Sequence, residues 1–130
     1  MTGSMVGIRV FGPLAAEVDC RAVDLGGPLQ RAVLALLLVE RGQVVSVDRM
    51  IDQLWRGEAP PRAIASLQSY VSNLRRLLEP GRARRSAGRI LVSAPPGYAV
   101  RLPADAVDAW RFERLLGQAH AAGRCGIVGT

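Results

Sequence analysis

Apolar and polar positions alternate at the start of the chain. Val6, Ile8 and Val10 fall on one side and Gly7 and Arg9 on the other, which predicts a strand within Met5 to Phe11. Met1 to Ser4 shows no such pattern and reads as a disordered leader, with the folded domain starting at residue 6. Gly12-Pro13 ends the strand. Leu14 to Cys20 and Ala22 to Leu25 are two further short strands, so an N-terminal antiparallel sheet of about three strands is expected, with Cys20 as a small buried residue in it.

The period then changes. Gly26-Gly27-Pro28 breaks the chain and supplies a proline suited to a first helical turn, and Leu29 to Glu40 is apolar around most of its circumference, as a central helix would be. Gly42 ends it. Ser46 is placed to cap a second helix in which Val47, Met50, Ile51, Leu54 and Trp55 recur at helical spacing. The glycine and prolines of Arg56 to Pro61 form a loop, and a third helix runs from about Arg62 to Leu78, stopped by Pro80-Gly81. Gly81 to Gly88 is a basic loop. Arg89 to Ser93 and Tyr98 to Leu102 read as strands joined through Pro95-Pro96-Gly97, a hairpin. Residues 103–107 read as a linker, Asp108 as the cap of a last helix extending to residue 122, and 123–130 as a disordered tail.

On the third helix, at 100° per residue, Ile64, Leu67, Val71, Leu74 and Leu78 share the side expected to pack inward. Opposite them stand Arg62, Ser66, Ser69, Asn73 and Arg76, with Tyr70 at one margin and Gln68 and Arg75 near the other. This face carries no acid, whereas an ordinary solvated face mixes acids with bases at i,i+4. Charge placement agrees. Residues 62–89 hold seven arginines (Arg62, Arg75, Arg76, Arg82, Arg84, Arg85, Arg89) against Glu79 alone, leaving ten bases and ten acids elsewhere, so this stretch carries the whole net charge of +6. Every basic residue is arginine, which suits phosphate and base recognition, but a complete absence of lysine more often reflects a GC-rich genome. A basic third helix after two others, followed by a hairpin, makes a winged helix-turn-helix of the α+β class: an N-terminal antiparallel sheet, a three-helix core and a C-terminal β-hairpin wing. The third helix would read double-stranded DNA in the major groove, while Arg82, Arg84, Arg85 and Arg89 would hold phosphates.

The stretches GGPLQRAVLALLLVERGQVVSVDRMIDQLW, PPRAIASLQSYVSNLRRLLEP and APPGYAVRL, which cover Gly26 to Leu102 in this order, resemble the OmpR-type DNA-binding domain of the Streptomyces antibiotic regulatory protein family. The resemblance implies a four-stranded N-terminal sheet, and recognition of direct repeats upstream of promoters through Ser66, Ser69, Tyr70, Asn73 and Arg76. It also implies a head-to-tail homodimer on DNA, activation of secondary-metabolite genes, and recruitment of RNA polymerase in part through the loop Arg56 to Pro61, with Arg56, Gly57 and Glu58 as contacts. Family members continue into a helical activation domain, of which VDAWRFERLLGQAHAAGR resembles the opening helix. Two readings follow, a portion of a longer regulator or a short member. The hairpin turn Pro95-Pro96-Gly97 departs from the family by lacking an arginine to enter a minor groove.

Other function classes find little support. An enzyme needs a nucleophile with its base, paired carboxylates or a metal site, yet the single histidine, His120, stands near the end, and no phosphate-binding glycine motif occurs. Cys20 and Cys125 belong to no metal-ligand or redox pair. No catalysis, metal or other cofactor is expected. The longest apolar run, Ala32 to Val39, is far below the roughly 18 residues of a membrane span, so a cytoplasmic protein without membrane contact is expected. The alternative is a winged helix that docks proteins, since fold does not fix function; the serine and arginine of the third helix fit that poorly.

Overall fold

The computed structural model describes residues 5–10, 13–80 and 89–110. The leader 1–4, the basic loop 81–88 with Arg82, Arg84 and Arg85, the body of the last helix and the tail lie outside the described residues. Three strands open the fold: β1 (Val6–Arg9), β2 (Ala15–Val18) and β3 (Arg21–Val23), antiparallel in the order β1-β2-β3. Ile8 pairs with Ala16, and Ala16 with Val23, which sets the inward face on the core. Three strands are therefore present among the described residues, as the alternation predicts, where the family resemblance implies four.

Cys20 departs from expectation. Asp19 and Cys20 both take positive φ, 52° and 68°, and form the tight turn between β2 and β3, leaving Cys20 exposed rather than buried in a strand. The Asp19 carboxylate accepts from the Met5 amide at 2.8 Å and fastens the turn to the chain's start.

Helix α1 (Pro28–Val39) starts with proline at its first turn and buries Val33, Leu34, Leu37 and Leu38. Arg31 ties it to the first sheet by donating to the carbonyl oxygens of Gly26 at 2.8 Å and Leu14 at 2.9 Å. Arg41 and Gly42 turn the chain at positive φ, and a two-residue strand, β4 (Val45–Ser46), follows. Helix α2 (Val47–Trp55) is capped as expected, with the Ser46 hydroxyl accepting from the Arg49 amide at 3.1 Å. It buries Met50, and Arg49 pairs with Glu40 at 2.6 Å.

Helix α3 (Ala63–Leu78) crosses α1 and α2 and buries Ala63, Leu67, Val71, Leu74 and Leu78. Burial of each large member of that stripe contributes about 1.5–3 kcal/mol, enough to offset the roughly 0.5 kcal/mol that each serine on the helix costs relative to alanine. Strands β5 (Leu91–Ala94) and β6 (Gly97–Val100) form the hairpin, and β4 joins it to give a second sheet ordered β4-β6-β5. The stretch expected as a linker is packed instead. A short 3-10 turn at Ala104–Ala106 leads to Val107, which is fully buried and bridges Ile8, and Trp110 closes over the same core under the Arg41 guanidinium. Asp108, expected as a cap, is instead the first helical residue; its carboxylate accepts from the adjacent Ala109 amide at 2.7 Å and from the Val10 amide at 2.8 Å, which ties it to the end of β1.

Candidate nucleic-acid interface

The buried stripe of α3 determines what its outer face presents. Ile64, expected inward, is 57% exposed, and Ala63 takes the core position in its place. The entry through Pro60-Pro61 sets this: the Ala63 amide donates to the Pro60 carbonyl oxygen at 3.0 Å, so the first helical turn lays Ala63 on the core. The outward sector is accordingly rotated from the expected one. Ala65, Gln68, Ser69, Ser72 and Arg76 are exposed, while Ser66, Asn73 and Tyr70 are half-buried. Ala65, Ser69, Ser72 and Arg76 follow one another at four- and three-residue steps, a row of small side chains ending in a guanidinium. Ala65 and Ser72 were legible as part of this face once Ala63 was placed inward; the apolar character of Ile64 hid them.

Arg62 stands exposed at the N-cap of α3, where its carbonyl oxygen accepts from Ser66. Arg76 is exposed near the other end and donates to the Asn73 side-chain oxygen. Asn73 in turn donates to Gln30 of α1 at 3.0 Å. Tyr70 packs against the core from the margin.

Arg75 has different work. Its guanidinium donates to the Leu91 carbonyl oxygen and to the Ser93 hydroxyl, both at 2.8 Å, and lies 5.9 Å from the centre of the Tyr98 ring. These contacts tie α3 to the hairpin. Replacement of Arg75 by Met is expected to lower stability by about 1–2 kcal/mol, the worth of hydrogen bonds to a charged donor. Chemical denaturation reads it, and an unchanged midpoint would free Arg75 for a DNA role.

Glu79, the one acid of the basic stretch, is 9% exposed at the end of α3. Its carboxylate accepts from the backbone amides of Arg89 at 2.8 Å, Ile90 at 2.9 Å and Leu91 at 3.3 Å. The charge that the sequence sets against seven arginines is thus spent on the hairpin's own backbone. Arg89 is exposed beside it, at the foot of the wing. Neither Glu79 nor Gln30 was marked as functional by the sequence, and no local pattern signals either, because their partners lie 10 to 12 and 43 residues away.

The loop after α2 begins with Arg56 in the left-handed conformation at φ 51° and Gly57 at φ 84°, and the Glu58 amide returns to the Trp55 carbonyl oxygen at 2.9 Å. Arg56, Gly57 and Glu58 are all exposed. Asp48, Ile51 and Asp52 of α2 form a shallow hollow with Gly57 and Ala59. Among the described residues no group of three potential metal ligands occurs, and no helix is long and apolar enough to cross a membrane.

Comparison with known proteins places this arrangement. Residues 22–100 match the family described as "Transcriptional regulatory protein, C terminal". The transcriptional regulatory protein EmbR of Mycobacterium tuberculosis is 45% identical over 118 residues, covering 88% of this chain and 30% of EmbR. The regulatory protein AfsR of Streptomyces coelicolor is 39% identical over 118 residues, covering 90% of this chain and 11% of AfsR. The chain thus spans under a third of the length of these relatives. A solved structure of Mycobacterium tuberculosis EmbR in complex with a low-affinity phosphopeptide superposes with a TM-score of 0.78 at 38% identity, over 93% of this chain and 32% of that one. The sheet, the three helices and the hairpin are those of an OmpR-type winged helix, and the chain belongs to the transcriptional regulatory protein C-terminal family, within the Streptomyces antibiotic regulatory protein group.

Proposed function

We propose that this chain is the sequence-specific DNA-binding unit of a transcriptional regulator, working in the cytoplasm, with α3 in the major groove. The observation that carries the proposal is the outward face of α3. It is free of acid, small at Ala65, Ser69 and Ser72, and bracketed by the exposed guanidinium groups of Arg62 and Arg76. Small side chains let a helix approach base edges closely, and an arginine beyond them donates to guanine or phosphate. The polar side chains of Ser66, Gln68 and Tyr70 flank that row. Arg89, with Arg82, Arg84 and Arg85 of the basic loop, supplies sequence-independent phosphate contacts.

The finer features rest on family likeness. They are direct-repeat operators, a head-to-tail homodimer on DNA, activation of secondary-metabolite genes, and contact with RNA polymerase through Arg56, Gly57 and Glu58. The exposed, sharply turned Arg56-Gly57-Glu58 segment supports the last, since all three residues are open to solvent.

Selection of genomic fragments on the immobilised protein, repeated across salt concentrations, tests the proposal. Spaced direct repeats near promoters are expected among the bound fragments, with affinity falling as salt rises. Arg76→Ala is expected to remove about 1–3 kcal/mol of discrimination at one base step, while Arg84→Ala weakens specific and nonspecific binding alike and flattens the salt slope by about one. A folded protein that enriches no motif would point instead to a protein-docking winged helix.

A further inference from the structure

Gln30 lies on α1 and is 9% exposed. Its amide is engaged at both ends. Nε2 donates to the Leu25 carbonyl oxygen at 2.9 Å, and Oε1 accepts from Asn73 Nδ2 at 3.0 Å. A carbonyl oxygen can only accept, so Leu25 fixes which end of the Gln30 amide faces it and leaves Oε1 toward α3. With its nitrogen turned to Gln30, Asn73 must present Oδ1 to the outer face, where an Arg76 terminal nitrogen donates to it. The polarity of one buried carbonyl is thereby passed through two amides to a surface guanidinium. The pocket is built around this side chain: a Cβ on Gly26, which sits at φ +92°, would come 2.5 Å from Gln30 Nε2.

We infer that Gln30 is a positioning residue for sequence recognition, acting through Asn73 to hold Arg76 in one rotamer on the recognition face. The inference rests on the DNA-binding reading above. An arginine is rich in rotamers, and one held before binding loses less freedom when it meets a base. Asn73, whose amide is occupied on both sides, is then the relay in this chain rather than a base reader, and Arg76 is the reader.

Four full-length proteins test this: wild type, Gln30→Met, Asn73→Ala and the double variant. Each is selected against a random duplex pool, and the order of the Arg76 side chain is measured in the free protein by nitrogen-15 relaxation. Both single variants are expected to weaken preference about tenfold at one and the same base step, and the double variant no further, because all three cut one chain. Arg76 is expected to be ordered in the wild type and mobile in every variant. Losses that add in the double variant, or a Gln30→Met protein with wild-type preference, would overturn the inference. Should Gln30→Met fail to fold, Asn73→Ala alone decides, since an Arg76 as ordered there as in the wild type overturns it equally. A wild-type protein with no base preference would mark failure of the DNA-binding reading, whereas an Arg76 equally mobile in all four marks failure of the relay.

Discussion

Gly97→Ala is expected to lower the thermal midpoint by more than about 10 °C, corresponding to a loss of about 3 kcal/mol in a domain of this size. The site allows no accommodation by a side chain. A Cβ at Gly97 would stand 1.8 Å from the Val45 carbonyl oxygen and 2.8 Å from the Ser46 Cα, both backbone atoms of β4. Strand β4 pairs with β6 through Val45↔Tyr98 and Ser46↔Gly97, so relief of the clash separates the third strand of the wing sheet. The damage then spreads to α2, because Ser46 caps that helix and the Val47 amide donates to the Pro96 carbonyl oxygen at 3.2 Å. Gly7→Ala is the matched control: nothing lies within 4 Å of a Cβ there, and the midpoint should stay within a few degrees. Equal midpoints for the two variants would show that β4 and β6 do not pack at this distance.

The fold was legible wherever a period runs long enough to be counted. Leu67, Val71, Leu74 and Leu78 repeat at helical spacing and are all buried, and Ser46 announces the start of α2 by the hydrogen bond a cap makes. Strand β4 has two residues and no period, so Val45-Ser46 reads as the approach to a helix, although it completes a sheet. The turn at Asp19-Cys20 lacks the glycine that marks such turns, which is why Cys20 was expected in a strand. Ile64 shows a different limit. The periodicity of a helix says which residues share a side, but the chain's entry through Pro60-Pro61 decides whether Ala63 or Ile64 meets the core, and that choice turns the outward face toward Ala65 and Ser72.

The candidate site was legible as a region and not as a set of contacts. Composition places seven arginines in residues 62–89, and charge alone makes them alike. Their partners separate them. Arg75 spends its guanidinium on Leu91 and Ser93, which follow 16 and 18 residues later, whereas Arg76, its neighbour, points outward. Such pairings exist only after the hairpin has folded back on α3. Charge counting therefore finds the basic region and overestimates how many of its arginines are free to meet a ligand, since Arg75 is held by Leu91 and Ser93.

Glu79→Ala is expected to detach the foot of the wing from α3, at a cost of about 3 kcal/mol, and Glu79→Gln about 2 kcal/mol. Three backbone amides converge on this carboxylate, Arg89 on Oε1 and both Ile90 and Leu91 on Oε2. Alanine leaves all three donors without their acceptor, Leu91 among them fully buried. Glutamine retains one oxygen and sets an amide NH2 against whichever donors faced the other. Hydrogen exchange at residues 89–91 should quicken in both variants and most in alanine, while exchange in the β1-β2-β3 sheet stays within the shift set by lower global stability. The functional consequence follows from position. Glu79 holds the backbone of Arg89, Ile90 and Leu91 beside the C-terminal end of α3, so its loss would loosen Arg89, which is proposed above to meet phosphate. Removing a negative charge should by itself strengthen binding to a polyanion, whereas losing the anchor should weaken it. A weaker Glu79→Gln complex at constant salt therefore shows that the carboxylate serves DNA binding through the backbone it holds, and a tighter one shows that its charge merely opposes the duplex.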